Sequence, residues 1–211
     1  IAGTLAGIRR YMRFLLVILV VFNLSVFGQD KVLNVRTYDN NDTSIYYKIK
    51  ADLVQQMDLD KLTSITRNWH FRFWTNKQLI EIWEDSLGLK KGQITSWTNE
   101  FFQENHKDSI GKFYFESLPL KIKTIDQLYE LIVSKEVTKI KDSYLIDNWI
   151  NGNDGYSYHF EFIIKNNYYF NSYWSPRSQN AKESLVITEI ADKFLSLTKA
   201  KRKWKAFIKS N

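Results

Sequence analysis

The chain reads as an α+β protein, an antiparallel sheet of about five strands with helices packed on it. Three observations predict this. Residues 70–83 and 156–174 each alternate apolar and polar positions about a short polar turn, the pattern of a β-hairpin. Residues 45–57 and 187–197 repeat apolar positions every three or four residues, the pattern of an amphipathic helix. A chain of 211 residues is also long enough to bury a core without metals or disulfides.

Taken in order, residues 31–38 form a candidate first strand, closed by the polar cluster Tyr38-Asp-Asn-Asn-Asp-Thr43. Asp42 or Thr43 can cap the helix that follows, whose stripe is Ile45, Ile49, Leu53 and Met57 with Tyr46 and Val54 beside it. The first hairpin turns at Asn76-Lys77, which sets Phe73 opposite Ile80 and Phe71 opposite Ile82 on one face. On the other face Arg72 meets Glu81, Trp74 meets Leu79 and His70 meets Trp83. A slip of one residue destroys both matches, so the register is specified. As an exposed cross-strand pair, Arg72 and Glu81 are expected to contribute under about 1 kcal/mol.

Strands are expected over 93–101 and 112–116, then a short helix from Thr124 with Leu128, Leu131 and Ile132 buried. Residues 134–155 carry no clear period and end in the turn Asn151-Gly-Asn-Asp-Gly155. The second hairpin is read with Asn166-Asn167 as its turn, so that Phe160 opposes Tyr173, Glu161 opposes Ser172 and His159 opposes Trp174. Ser175-Pro176 ends the strand. A last helix carries Ile187, Ile190, Ala191, Phe194 and Leu197, and its stripe continues through Ala200, Trp204 and Phe207 among lysines and Arg202.

Ahead of this lies a segment with a different logic. Arg9, Arg10 and Arg13 precede the nine-residue apolar run from Phe14 to Phe22, and Gly28 stands at a plausible cleavage point. Residues 1–28 therefore read as an export signal, with 1–11 taken as upstream translation and Met12 as the start. A spanning helix wants about 20 apolar residues, which disfavours permanent anchoring. The expectation is an exported protein, periplasmic or extracellular, whose residues 29–211 form a single α+β domain with a basic C-terminal helix.

The chain has no cysteine, which excludes a disulfide framework, a thiolate metal site and a cysteine nucleophile. Its charge is +7, and without the three leading arginines 27 basic residues face 23 acidic ones, an excess too mild to imply nucleic acid. Nucleophile elbows, phosphate-binding glycine loops and His-Glu-x-x-His are missing. No catalytic residue, metal site or cofactor is implied. His70, His106 and His159 are far apart in sequence, and a metal site from His70, His159 and Glu161 is required by no spacing.

The candidate ligand-binding residues are His70, Trp74, Trp83, His159 and Trp174, all on the second sheet face, with Trp97 added by the next strand. Flat rings interleaved with polar groups can stack on sugars or receive a partner's side chains. The simpler reading is that a helix covers this face and the indoles are core. The basic stretch 199–209 can meet anionic lipid, although a solvated face on a docked helix is the simpler reading there too.

The phrases Phe71-Arg-Phe-Trp74, Ile80-Glu-Ile-Trp83, Gly92-Gln-Ile-Thr-Ser-Trp97, Asp154-Gly-Tyr-Ser-Tyr-His-Phe-Glu161 and Tyr173-Trp-Ser-Pro176 together resemble a group of exported bacterial proteins of uncharacterised activity. The resemblance spans residues 69–197 and implies a secreted or periplasmic setting, with no catalytic residue to carry over. The functional expectation is a non-enzymatic binding module of the cell envelope or exterior, its partner a glycan or a protein. The alternatives are a hydrolase with paired carboxylates, or a structural protein held at the membrane through its signal or its basic helix.

Overall fold

The computed structural model describes residues 32–37, 43–104, 107–152 and 154–210. Residues 1–28, expected from the sequence to be an export signal, and Asp42, His106 and Asn153 lie outside the described residues. From Val32 onward the described residues belong to one compact unit.

Seven strands form one sheet: β1 (Val32–Val35), β2 (Trp69–Trp74), β3 (Gln78–Glu84), β4 (Lys90–Glu104), β5 (Lys107–Pro119), β6 (Ser157–Ile164) and β7 (Asn167–Trp174). Their order is β1-β7-β6-β2-β3-β4-β5, so the two hairpins lie side by side through β2 and β6. Every pairing is antiparallel except β1 with β7, which is parallel. The expected five antiparallel strands are thus seven in a mixed sheet. A β1 of four residues joining as an edge strand has too little alternation to announce its direction.

The helices are α1 (Ile45–Gln56), α2 (Ile122–Ser134), α3 (Lys182–Leu197) and α4 (Ala200–Ser210). On one sheet face Phe71, Phe73, Ile80, Ile82, Phe160 and Phe162 pack against Leu128 and Ile132 of α2 and Ile187, Ile190 and Phe194 of α3. On the other face Trp74, Leu79 and Trp97 meet Val54 of α1 and Met57 just after it, while Ile163, Tyr168 and Phe170 meet Leu62. Both faces are covered, in three layers.

The β2–β3 register is the one the sequence predicts, with Arg72 opposite Glu81 and Phe73 opposite Ile80. Its turn is held by Thr75, whose Oγ1 accepts from Gln78 N (2.9 Å). The second hairpin differs. Lys165 and Asn166 take the positive φ angles of the turn, 47° and 66°, so Glu161 pairs with Phe170 and His159 with Ser172. Trp174 faces Ser157 instead of His159. Moving a two-residue turn by one position shifts the pairing by two. Every side chain then keeps its face, and alternation alone cannot detect the change.

Helix α1 is also rotated from expectation. Ile45 and Ile49 are about half exposed, at 54% and 47%, while Lys50 and Val54 are buried. The aromatic sheet face decides this: Tyr46 packs on His159 and Tyr47 on Phe170. Helix α2 begins at Ile122, two residues before Thr124, with no side-chain cap. The single long C-terminal helix is two, broken at Lys199, whose φ is 56°. Residues 134–155 contain two short 3₁₀ turns, and Asp142 between them accepts from Ser172 N (2.8 Å), tying the segment to β7.

Candidate functional site

The second sheet face is not the open platform that the candidate residues would form without a cover. His70, Trp74 and His159 are all but sealed, at 1%, 0% and 2% exposure, while Trp83 and Trp174 are half-buried. The cover is α1 together with the loop from Met57 to Arg67. The five residues also separate into two groups. His70 and Trp83 are cross-strand neighbours with rings 5.5 Å apart, under the Arg67 guanidinium. Trp74, His159 and Trp174 lie toward the other end of the sheet, where Trp74 pairs with His159.

Between the groups runs a buried ionic cluster. Arg72, with no exposed surface, donates from Nε to Glu81 Oε2 (2.8 Å) and from Nη2 to the Asp60 carbonyl (2.8 Å). Its Nη1 stands 3.6 Å from Glu161 Oε1. Gln93 Nε2 donates to the other Glu81 oxygen (2.7 Å), while Trp74 Nε1 (2.7 Å) and the Tyr168 hydroxyl (3.2 Å) donate to Glu161. Arg67 Nη1 donates to His70 Nδ1 (2.9 Å), which puts the His70 proton on Nε2, facing Glu81 at 2.9 Å. Burial, with Arg72 and Arg67 adding to it, lowers the His70 pKa to about 4. Burial alone would raise the Glu81 carboxyl, but the Arg72 charge and the hydrogen bonds from His70 and Arg72 outweigh it and hold the group well below the usual carboxylate range. The Arg72–Glu81 pair expected at the surface is therefore interior. Two carboxylates do meet here, yet both are sealed against Arg72, and Glu81, held ionised in this way, is unsuited to supply a proton as a general acid.

At the Trp174 end, where α1 meets the sheet rim, a cavity of about 510 Å³ opens. Three rings from three elements line it: Tyr46 of α1, Trp97 of β4 and Trp174 of β7. Polar groups stand between them, among them Lys50, Asp52, Gln56, Asn76, Asn99 and His159. The Trp174 ring lies against the loop before β6. A Cβ on Gly152 would stand 2.6 Å from ring atom Cζ2, and one on Gly155 3.1 Å from Nε1, so both positions need glycine for this close approach. Trp174 Nε1 is buried and meets no acceptor among the described residues. His159 shares its Nδ1 with the Ser172 hydroxyl (2.9 Å), and burial followed by repulsion from Lys50 drives its pKa well below the ordinary imidazole value.

Lys50 is the cavity-lining side chain that sequence reasoning missed. Its Nζ donates to the Thr75 carbonyl (3.3 Å) and lies over the rings of Trp74 and Trp97, at 5.3 and 5.6 Å. Burial lowers its pKa to about 8, with the Glu161 charge partly opposing. The signal available in sequence was a second stripe, Tyr46, Lys50, Val54 and Met57, at helical spacing but interrupted by a charge.

A larger groove of about 630 Å³ runs between the end of α2 and the start of α3, but its walls carry no aromatic ring and two of its lysines already pair with Glu136 and Glu189. Among the described residues no group of three or more His, Cys, Asp or Glu is placed to hold a metal, and no helix is long and apolar enough to cross a membrane. No protein-family model matches the chain, and a search of curated proteins finds no relative.

Proposed function

We propose that this chain is an exported binding protein of the cell envelope or exterior, and that the cavity beside α1 receives a sugar unit of a glycan. The observation that carries the reading is the wall of that cavity. Tyr46, Trp97 and Trp174 contribute aromatic rings, and amide, carboxylate and ammonium groups stand between them as hydrogen-bond partners. A sugar has the same division, with C–H faces that stack on rings and hydroxyls around the edge that need donors and acceptors. The volume lies within the range of small-molecule sites.

Hydrolysis of the same ligand is the weaker reading. Paired-carboxylate chemistry needs two acids across the bound sugar, and Asp52 is the one acid among the residues lining this cavity. Glu81 and Glu161 are committed to Arg72 beneath the surface.

Calorimetric titration with a panel of neutral and acidic oligosaccharides tests the proposal. Trp174→Ala is expected to weaken binding at least tenfold while the protein stays folded by circular dichroism. Undiminished binding by a folded Trp174→Ala protein would remove the cavity from consideration.

A further inference from the structure

Helix α4 carries Lys201, Arg202, Lys203, Lys205 and Lys209 and no acidic residue. Lys201, Lys205 and Lys209 follow one another at four-residue spacing, and Arg202 flanks the same side, so four exposed cations share one face. The opposite face is anchored, because Ala200 and Phe207 are buried and Gln78 Nε2 donates to the Ala200 carbonyl (3.1 Å). This helix is thus docked, and its outer surface is uniformly basic.

Some cations elsewhere stand beside acids, as in Arg67–Asp60, Lys91–Asp85, Lys135–Glu189 and Arg177–Asp192, whereas single exposed lysines such as Lys165 and Lys193 stand without such a partner among the described residues. Among the described residues none of the α4 cations has an ion-pair partner of this kind. The arrangement opposes helix stability twice. Like charges four residues apart repel, and cations in the first turn face the positive end of the helix dipole. Lys77 from the β2–β3 turn extends the basic surface, with its ammonium 5.1 Å over the Trp204 ring. Ile208, 44% exposed, stands next to Lys201 and Lys205 around the helix.

We infer that the outer face of α4 is a docking surface for an anionic lipid bilayer. A bilayer supplies the negative charge this face lacks and also an apolar layer for Ile208 and the edge of Trp204. An acidic polymer would match the charge alone, and the outer side of a lone helix offers it no groove.

Co-sedimentation of the full chain with phosphatidylcholine vesicles, with and without added phosphatidylglycerol, tests the inference. The pure phosphatidylcholine arm accounts for whatever the apolar run 14–22 contributes. The gain on adding anionic lipid should fall with rising salt. It should drop roughly a hundredfold in K201Q/K205Q/K209Q, at about fivefold per cation removed. A control with the same charge change elsewhere, K121Q/K123Q/K141Q, should keep most of the gain. Ile208→Ser should weaken vesicle binding and leave retention on heparin unchanged. Equal losses in the two triple variants, or heparin retention without vesicle binding, would overturn the inference.

Discussion

Arg72 shows most directly how a pair that looks superficial in sequence becomes structural. On paper it is one half of a cross-strand ion pair with Glu81, and cross-strand pairs at a surface contribute little. In the fold it has no exposed surface, and its guanidinium faces two carboxylates and the Asp60 carbonyl. Removing one partner of a buried cluster leaves the others desolvated and uncompensated. Arg72→Met should therefore cost about 3–5 kcal/mol in urea denaturation, several times the expectation for a surface pair. A cost under about 1 kcal/mol would mean that water reaches the cluster. The alternation that placed Arg72 and Glu81 opposite each other was legible; that α1 and the loop after it lie over them was not. Nothing in residues 45–67 states which sheet face they will cover, and the buried Lys50 argues superficially against their covering any.

Among the elements, the two hairpins differ in how much of their pairing could be read. In the first, a charge match and an apolar match are both satisfied by one register, and Asn76-Lys77 follows as the turn. In the second, the same alternation is compatible with two turns one residue apart. The fold takes Lys165-Asn166 and sets Asn167 beside Val32 of the edge strand β1. Lysine gains nothing from positive φ, whereas asparagine tolerates it. Lys165→Asn should accordingly stabilise the protein by several tenths of a kcal/mol to about 1 kcal/mol, read as a higher denaturation midpoint with an unchanged slope. A lower midpoint would show that the lysine side chain makes a contact worth more than the strain. The rotation of α1 has a similar origin. Its isoleucines form the more hydrophobic stripe, but Tyr46 and Tyr47 fit the rings of His159 and Phe170, and packing prevails over hydropathy.

For the molecule as a whole, covering both sheet faces turns buried titratable groups into a pH dependence. His70 and His159 are neutral in the fold, with pKa values of about 4 and well below 6.5. In the unfolded chain each titrates near 6.5. Between these values the unfolded state binds more protons, so the histidines' contribution to stability is full above about pH 6.5 and is lost as pH falls toward 4. Glu81, held below its unfolded value, adds loss of the same sign further into acid. Between pH 7 and pH 5 His70 should remove about 2 kcal/mol, measured by urea denaturation, and His159 should add a loss of the same sign. His159→Gln should make the drop smaller. A flat profile over that interval would mean that both imidazoles are protonated inside the folded protein.

The alternating stretches by themselves determined that a sheet forms, which residues share a face and how β2 pairs with β3, because neighbouring side chains on a strand must point to opposite sides. The 3.6-residue stripe from Ile187 to Phe194 likewise determined the buried side of α3, since isoleucine and phenylalanine there compete with no other apolar side. Only the tertiary structure decided that the tryptophan face is covered, that Arg72, Glu81 and Glu161 are interior, and that Lys50 and three rings enclose a cavity. The physical reason is that a strand carrying aromatic residues and charges on one face is equally compatible with water or with a helix above it. The choice depends on the shape and charge of an element distant in sequence, through contacts that no local period records.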